Sequence, residues 1–300
     1  MKLEHLIVGI NFSKADEFLC KYVDFLATKI PINTINNLFV FTIRNLFMNL
    51  QNDEHDKTVK LFLKSFEKNM EENLKGFYPH VKNVNYFAVA DLYSPAVLHF
   101  LVNKKSELIF IGKTKDSSGE MAKLTIRHIP AQVMVVPEQA KHKLDKILVA
   151  LDESKFSETV LRRALELASK ITPRPEVTCM FISHINYFME LEKAISEGYH
   201  SVKDKILTAK SKEIFEEEKK AFEKFVSEYS RDFDLKINTK VVFEPRPKPH
   251  LALMDYLNEN ETDLVVLGDR NHSGLNIRML SGFTERIITE NNKTPMLVVK

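Results

Sequence analysis

Residues 147–171 read ILVALDESKFSETVLRRALELASKI and combine a short apolar run, a polar turn and a helical pattern. The run KILVALD at 146–152 is short and largely apolar, which is typical of a strand buried on both faces of a sheet. Apolar residues then recur at helical spacing from Val160 to Ala168. Ser154 or Ser157 is expected to cap this helix. A strand, a turn and a helix in this order predict one unit of a parallel sheet.

The same segment occurs earlier in the chain. Residues 6–30 read LIVGINFSKADEFLCKYVDFLATKI and align with 147–171 without a gap, with eight identical positions among 25. The halves also end alike, with SELIFIG and AQVMVVP in the first and TDLVVLG and TPMLVVK in the second. The chain is therefore predicted to hold two copies of one domain, at 1–137 and 146–300, joined by a polar linker at 138–145.

Strand and helix patterns alternate along both copies. Strands are predicted near 3–10, 36–43, 81–90, 107–111 and 132–136 in the first copy, and at 146–152, 176–182, 235–243, 262–268 and 295–300 in the second. Helices are predicted at about 203–231, 250–260 and 280–291. This order predicts an α/β fold of two tandem Rossmann-like domains, each a five-stranded parallel sheet with helices on both faces.

Composition excludes several classes of protein. The 300 residues contain 8 glycines, where average usage would give roughly 21, so a glycine-rich all-β protein is excluded. The net charge is +2, and acidic and basic residues are interspersed, which argues against a nucleic-acid partner. The N-terminal apolar run is too short for a signal-peptide core, and no stretch approaches a membrane span. With Cys20 and Cys179 expected as buried reduced thiols, a cytoplasmic protein is predicted.

A ligand site is expected at the carboxyl ends of the strands, where parallel sheets bind ligands. Asp152 and Ile182 end two predicted strands, and the run after Leu267 contains three of the eight glycines within 15 residues. A glycine-containing loop that enters a helix N-terminus suits a phosphate group. Alternatively, these glycines only turn a strand into a helix. Neither a Walker pattern nor Gly-x-Gly-x-x-Gly is present.

The C-terminal run LGDRNHSGLNIRMLSGFTERIITENNKTPMLVVK, together with ILVALDES and their echoes in the first half, carries a family resemblance. The chain resembles a tandem universal stress protein, with two UspA-type domains of the adenine nucleotide alpha hydrolase-like fold. The resemblance implies a non-catalytic stress sensor or adaptor. It also implies that the last strand, Met296 to Val299, pairs with its counterpart in the first copy or across a homodimer.

The resemblance further implies residue roles in the second copy. In ATP-binding members an Asp after the first strand contacts the nucleotide, and main chain after the second contacts adenine. A Gly-x-x-Gly, nine residues, Gly-Ser/Thr motif contacts ribose and phosphates. The motif implies a site for ATP or another adenine nucleotide with Mg²⁺, built from Asp152, Ile182, Gly268, Asn271, Ser281, Gly282 and Phe283. Asn271 replaces the motif's second glycine, and Ser281-Gly282 replaces its Gly-Ser, which weakens the predicted site.

The first copy departs further from the motif. Asn11 stands where the Asp is expected, and the segment from Gly112 to Val133 is seven residues shorter than its counterpart from Gly268 to Met296. This copy is therefore interpreted as a scaffold without a nucleotide. Its loop at 113–119 is expected to be polar and solvated, with an anion site at Lys113 and Lys115 as the alternative.

Two other functions stay open. The chain could be a nucleotide-independent interaction module for an unknown protein partner, with neither copy binding a ligand. It could also be an adenylating or pyrophosphate-releasing enzyme, although the Ser-Gly-Gly signature of that class is absent. Ten scattered histidines show no metal-ligand spacing, and no serine lies in a Gly-x-Ser-x-Gly motif. No catalytic residue, no metal site and no membrane partner are therefore predicted.

Overall fold

The computed structural model describes residues 3–41, 52–152, 154–183, 203–244, 248–269 and 281–300, without the side chains of 52–56 and 203–212. Strands and helices alternate in both halves, as predicted. The first half contains β1 (His5–Ile10), α1 (Lys14–Ala27), β2 (Thr34–Phe41), α2 (Asn52–Leu74), a 3-10 turn (Lys75–Phe77), β3 (Asn83–Ala90), α3 (Tyr93–Lys104), β4 (Leu108–Lys113), α4 (Glu120–His128) and β5 (Gln132–Pro137).

The second half repeats this order after residues 138–145, which form turns and bends. It contains β6 (Lys146–Leu151), α5 (Phe156–Ala168), β7 (Glu176–Ser183), α6 (Lys203–Ser230), β8 (Ile237–Phe243), α7 (Pro249–Glu259), β9 (Leu264–Gly268), α8 (Gly282–Glu290) and β10 (Met296–Val299). Among the described residues no helix is both long and apolar enough to cross a membrane.

The strands form a single sheet of ten, in the order β3-β2-β1-β4-β5-β10-β9-β6-β7-β8. Within each half the five strands are parallel. The halves meet where β5 and β10 pair antiparallel, with Leu297 opposite Met134. The predicted five-stranded sheets and the pairing of the last strands within one chain are therefore confirmed.

Helices cover both faces of the sheet, as predicted for buried parallel strands. Successive residues of β6 point to opposite faces: Val149 joins the cluster that contains Leu19 of α1 and Leu165 of α5. Leu148 joins the other cluster, with Ile126 of α4 and Ile287 of α8. This alternation lets one short strand contribute to two apolar layers.

Lys113 joins the two halves, contrary to the expectation of a solvated loop. It ends β4 and is 1% exposed. Its Nζ donates to the carbonyl of Asn291, at 3.2 Å, and to Oδ1 of Asn292, both beyond the end of α8. A cation at the C-terminal end of a helix is stabilised by the helix dipole. Lys113 is therefore a tether rather than an anion ligand, whereas Lys115 is exposed.

Lys300 makes a similar connection in the opposite direction. Its Nζ donates to the carbonyl of Ile126, near the end of α4, and lies 2.9 Å from Oδ2 of Asp269. Each half thus sends a lysine to the C-terminal end of a helix in the other half. Together with the β5–β10 pairing, these bonds join the two five-stranded halves of the sheet.

Candidate functional site

A cavity of about 360 Å³ lies at the carboxyl ends of β6, β7 and β9. Strand β6 lies between β9 and β7 in the sheet. From β6 the chain adds β7 and β8 on one side and β9 and β10 on the other, and such a reversal of strand order is where open parallel sheets bind ligands. Asp152, Ile182, Gly268, Ser281 and Phe283 line the cavity. The structure therefore brings together five of the seven residues predicted for a nucleotide site.

The other two predicted residues, Gly282 and Asn271, are not among the described residues that line the cavity. Gly282 is the first residue of α8, between two lining residues, and a Cβ added there would meet no atom of the described residues within 4 Å. Asn271 falls outside the described residues.

Asp152 organises the turn after β6. Its Oδ1 accepts hydrogen bonds from the backbone N–H of Ser154 at 3.0 Å and from the hydroxyls of Ser154 at 2.5 Å and Ser157 at 2.7 Å. The hydroxyl of Ser157 in turn accepts the Asp152 N–H at 2.9 Å. The predicted serine cap is wrong, because these hydroxyls bind Asp152 and Lys155 precedes α5 without a side-chain cap bond. The carboxylate is thus fixed at the cavity wall.

The N-terminus of α8 is held against the end of β9. Ser281 caps the helix, since its hydroxyl oxygen accepts the N–H of Thr284 at 3.0 Å. The Thr284 hydroxyl donates to the carbonyl of Gly268 at 2.7 Å. Backbone N–H groups in a first helical turn lack intrahelical acceptors and carry the positive end of the helix dipole. This end of the cavity is therefore suited to an anion.

Gly268 has a packing reason of its own. A Cβ at this position would lie 3.2 Å from the ring of Phe156 and from Val160. The glycine therefore lets α5 approach the end of β9. This observation supports the structural reading of Gly268 as well as the ligand-binding one.

Sequence reasoning missed the lining residues on α5 and α6, chiefly Phe156 and Glu218. Glu218 lies near Ser183, whose hydroxyl donates to its Oε2 at 2.5 Å. Ser183 ends β7 and is fully buried. Glu218 carries no distinguishing signal in the sequence, because it is one of many glutamates on a long charged helix.

Aromatic rings cluster at the corresponding strand end of the first half. Phe12 lies beyond β1, and Phe39 and Phe41 end β2. Phe39 packs against Phe12 and Phe66 with ring centroids 4.8 Å apart in each pair, and Phe41 packs against Phe62 at 5.4 Å. Since β2 is the counterpart of β7, these rings lie at the strand end that corresponds to the base of the cavity in the second half. The first half is therefore built differently from the second at this edge.

No group of three or more His, Cys, Asp or Glu side chains that could hold a metal ion occurs within the described ranges. The hydroxyls of Ser154 and Ser157 bind a carboxylate rather than a histidine. The described walls of the cavity comprise an apolar side, two carboxylates and a helix N-terminus.

Comparison with known proteins identifies relatives of this fold. The sequence model of the universal stress protein family matches residues 143–300. A universal stress protein from Archaeoglobus fulgidus has the same fold, with a TM-score of 0.62, 14% identity, and coverage of 100% of this chain and 99% of that one. A protein of the same family from Pseudomonas aeruginosa gives 0.58 at 14% identity, covering 99% and 93%.

The cytoplasmic domain of a prokaryotic cation chloride cotransporter also has this fold, with a TM-score of 0.50, 10% identity, and coverage of 98% and 94%. Comparison with curated protein sequences gave no match. Identities this low show the fold alone. The family match spans more than half of the chain, and the first half repeats the same fold. The chain therefore belongs to the universal stress protein family and carries two domains of the family's type in tandem.

Proposed function

We propose that the second copy, residues 146–300, binds an adenine nucleotide and that the chain acts as a non-catalytic, cytoplasmic sensor or adaptor in a stress response. The first copy, residues 1–137, serves as a scaffold. The observation that carries the proposal is the cavity, because Asp152, Ile182 and Ser281 come from separate segments and line it together.

The layout of the cavity fits the parts of a nucleotide. Neighbouring strands lie about 4.8 Å apart, so β7, β6 and β9 span about 10 Å. The phosphates would lie at β9 and the N-terminus of α8, where Gly268, Ser281, Gly282 and Phe283 supply backbone donors. The ribose would lie at Asp152 on β6, and the base at Ile182 on β7. Mg²⁺ would accompany the phosphates, and Asn271 is proposed for the phosphate loop from its place in the motif.

Isothermal titration with AMP, ADP and ATP, each with Mg²⁺, tests the proposal. We expect a saturable signal with at least one nucleotide, and about tenfold weaker binding by D152A, since a lost hydrogen bond to a polar ligand costs about 1–1.5 kcal/mol. D116A is the control, because Asp116 is an exposed aspartate of the first half. Absence of both heat and a melting-temperature shift with all three nucleotides at millimolar concentration would overturn the site.

A second candidate function is a nucleotide-independent interaction module. The phenylalanine rings of the first half favour it for that half, because they pack on one another at the strand end that corresponds to the cavity. It predicts that D152A and wild type behave alike in ligand assays while a protein partner is recovered by pull-down. Product formed from ATP in a single turnover and lost in D152A would instead support an enzyme.

A further inference from the structure

We propose that Glu218 selects the base of the bound nucleotide by accepting a hydrogen bond from the exocyclic amine of adenine. The inference rests on the proposed function and adds a specificity-determining side chain to it. It predicts that bases with a carbonyl oxygen in place of that amine bind more weakly.

The position of Glu218 is the first support. It lines the cavity beside Phe181 and Ile182, at the end of β7. This is the end farthest across the sheet from β9 and the N-terminus of α8. A flat apolar base suits the side formed by Phe181 and Ile182, while the anionic part suits the helix N-terminus. Glu218 is therefore next to the base rather than next to the phosphates.

One contact holds the carboxylate of Glu218, and a second holds the segment of α6 that carries it. The buried hydroxyl of Ser183 donates to its Oε2 at 2.5 Å. One helical turn along α6, the ring of Phe222 stacks on Phe181 with centroids 5.5 Å apart and is 7% exposed. Glu218 is thus held on a segment of α6 that is packed on the sheet, which is the condition for a side chain to discriminate between ligands.

The chemistry of a carboxylate explains why adenine would bind better than hypoxanthine. An ionised carboxylate accepts hydrogen bonds and donates none. The bond from Ser183 uses Oε2, and Oε1 has no hydrogen bond among the described residues. The exocyclic amine of adenine is a donor and would satisfy Oε1. The carbonyl oxygen of hypoxanthine is an acceptor, so it would face a negatively charged acceptor with no proton between them.

The two copies of the domain provide an internal comparison. Leu151 pairs with Phe181 between β6 and β7, and Ile10 pairs with Phe39 between β1 and β2. Ile10 aligns with Leu151 in the repeat, so Ser183 corresponds to Phe41. Phe41 contacts Phe62 and Phe66 and offers no hydroxyl to a helix residue. The Ser183–Glu218 pair thus belongs to the copy that has the cavity.

Competition between adenosine and inosine tests the inference, because the two nucleosides differ only along this edge of the base, in the group on C6 and in the proton that inosine carries on N1. We expect wild type to bind adenosine at least tenfold more tightly. E218Q should reduce that preference to about threefold or less, because an amide can donate to a carbonyl as well as accept from an amine. E217Q is the matched control, since Glu217 is exposed on the same helix, and it should keep the wild-type preference.

The outcomes separate this inference from the proposed function. If adenosine binds but E218Q keeps the full preference, the inference is overturned and the nucleotide site stands. If neither nucleosides nor nucleotides bind wild type, both fail. Purine riboside, which lacks the amine, gives a test without mutation: wild type should bind it at least tenfold more weakly than adenosine, and equal binding overturns the inference. Melting temperatures verify that E218Q is folded.

Discussion

In each copy one carboxylate accepts hydrogen bonds from the turn after the first strand. In the first copy this carboxylate follows the turn in the chain, and in the second copy it precedes the turn. In the first copy Asp16, on α1, accepts the N–H groups of Asn11 and Ser13 at 3.2 Å, and burial raises its pKa. In the second copy the carboxylate is that of Asp152, at the end of β6, and Ser157 on α5 stands at the position that corresponds to Asp16. Only the second arrangement places an acid on the wall of the cavity.

Residues recognisable by their type were predictable at the site, whereas residues placed by packing were not. Asp152 and Gly268 end or follow apolar runs, so each could be located from sequence, and the motif of the resembling family supplied Ser281. Glu218 could not be located from sequence, because its place at the cavity depends on which turn of α6 passes over β7. Lys113 was misinterpreted because its partners beyond α8 are about 180 residues away in the chain.

The tether at Lys113 predicts a pH dependence of stability. Burial lowers the pKa of Lys113, and Lys123 nearby adds to the effect. As pH rises towards the usual lysine value of about 10.4, the folded protein loses this proton before the unfolded chain does. The unfolded state then binds more protons, so the contribution of Lys113 to the free energy of unfolding increases with pH.

Urea unfolding of wild type and K113M between pH 7 and pH 10 measures this contribution. The free energy of wild type minus that of K113M should increase across the range, by up to about 1.4 kcal/mol for each unit by which the pKa is lowered. K115M is the control, because Lys115 is exposed, and its difference should stay flat. A difference for K113M that is constant or falls with pH would contradict the assignment.

At the scale of the elements, α4 and α8 approach each other across the junction of the two halves. Arg127 of α4 and Glu285 of α8 form an ion pair at 2.8 Å. Gly119, before α4, has φ of +77°, and a Cβ there would lie 2.8 Å from Cγ2 of Ile288. The predicted helix at 280–291 matches α8, but the contact between the helices depends on the arrangement of the halves, which the patterns within each half do not contain.

Replacing Gly119 tests this contact. G119A should lower the free energy of unfolding by about 1–3 kcal/mol, because alanine is strained at positive φ and its Cβ would contact Ile288. G76A is the matched control, since a Cβ at Gly76 meets no atom of the described residues within 4 Å, and it should change stability by less than about 0.5 kcal/mol. Urea denaturation gives both values. Equal effects of the two changes would mean that Gly119 is not constrained.

At the scale of the whole molecule, the ten strands form a sheet whose centre is the β5–β10 pair. Sequence patterns were sufficient to predict the five strands of each half, because the central strands are buried apolar runs and the edge strand β8 alternates in polarity. The repeat with its similar endings, together with the family resemblance, was sufficient to expect the central pairing. Strand order within each half was not predicted, since it depends on which helix crosses which face.

This pairing predicts that the two halves share their stability. Leu19 in the first half and Leu165 in the second are both fully buried, and L19A or L165A should each cost about 2–5 kcal/mol. Hydrogen exchange should show that either substitution reduces the protection of β5 and β10 by similar amounts, because opening one strand removes the partner of the other. Loss of protection confined to the substituted half would show that the halves unfold separately.

Lys123 and Glu285 have a consequence for how copies of the domain can associate. They are the fourth residues of the nine-residue helices α4 and α8, and their charged groups lie 4.0 Å apart. If two first copies paired in this geometry, lysine would face lysine, and two second copies would place glutamate against glutamate. Both homotypic pairs would be repelled. The charges at this position of the helix therefore favour pairing of the first copy with the second over either homotypic pairing.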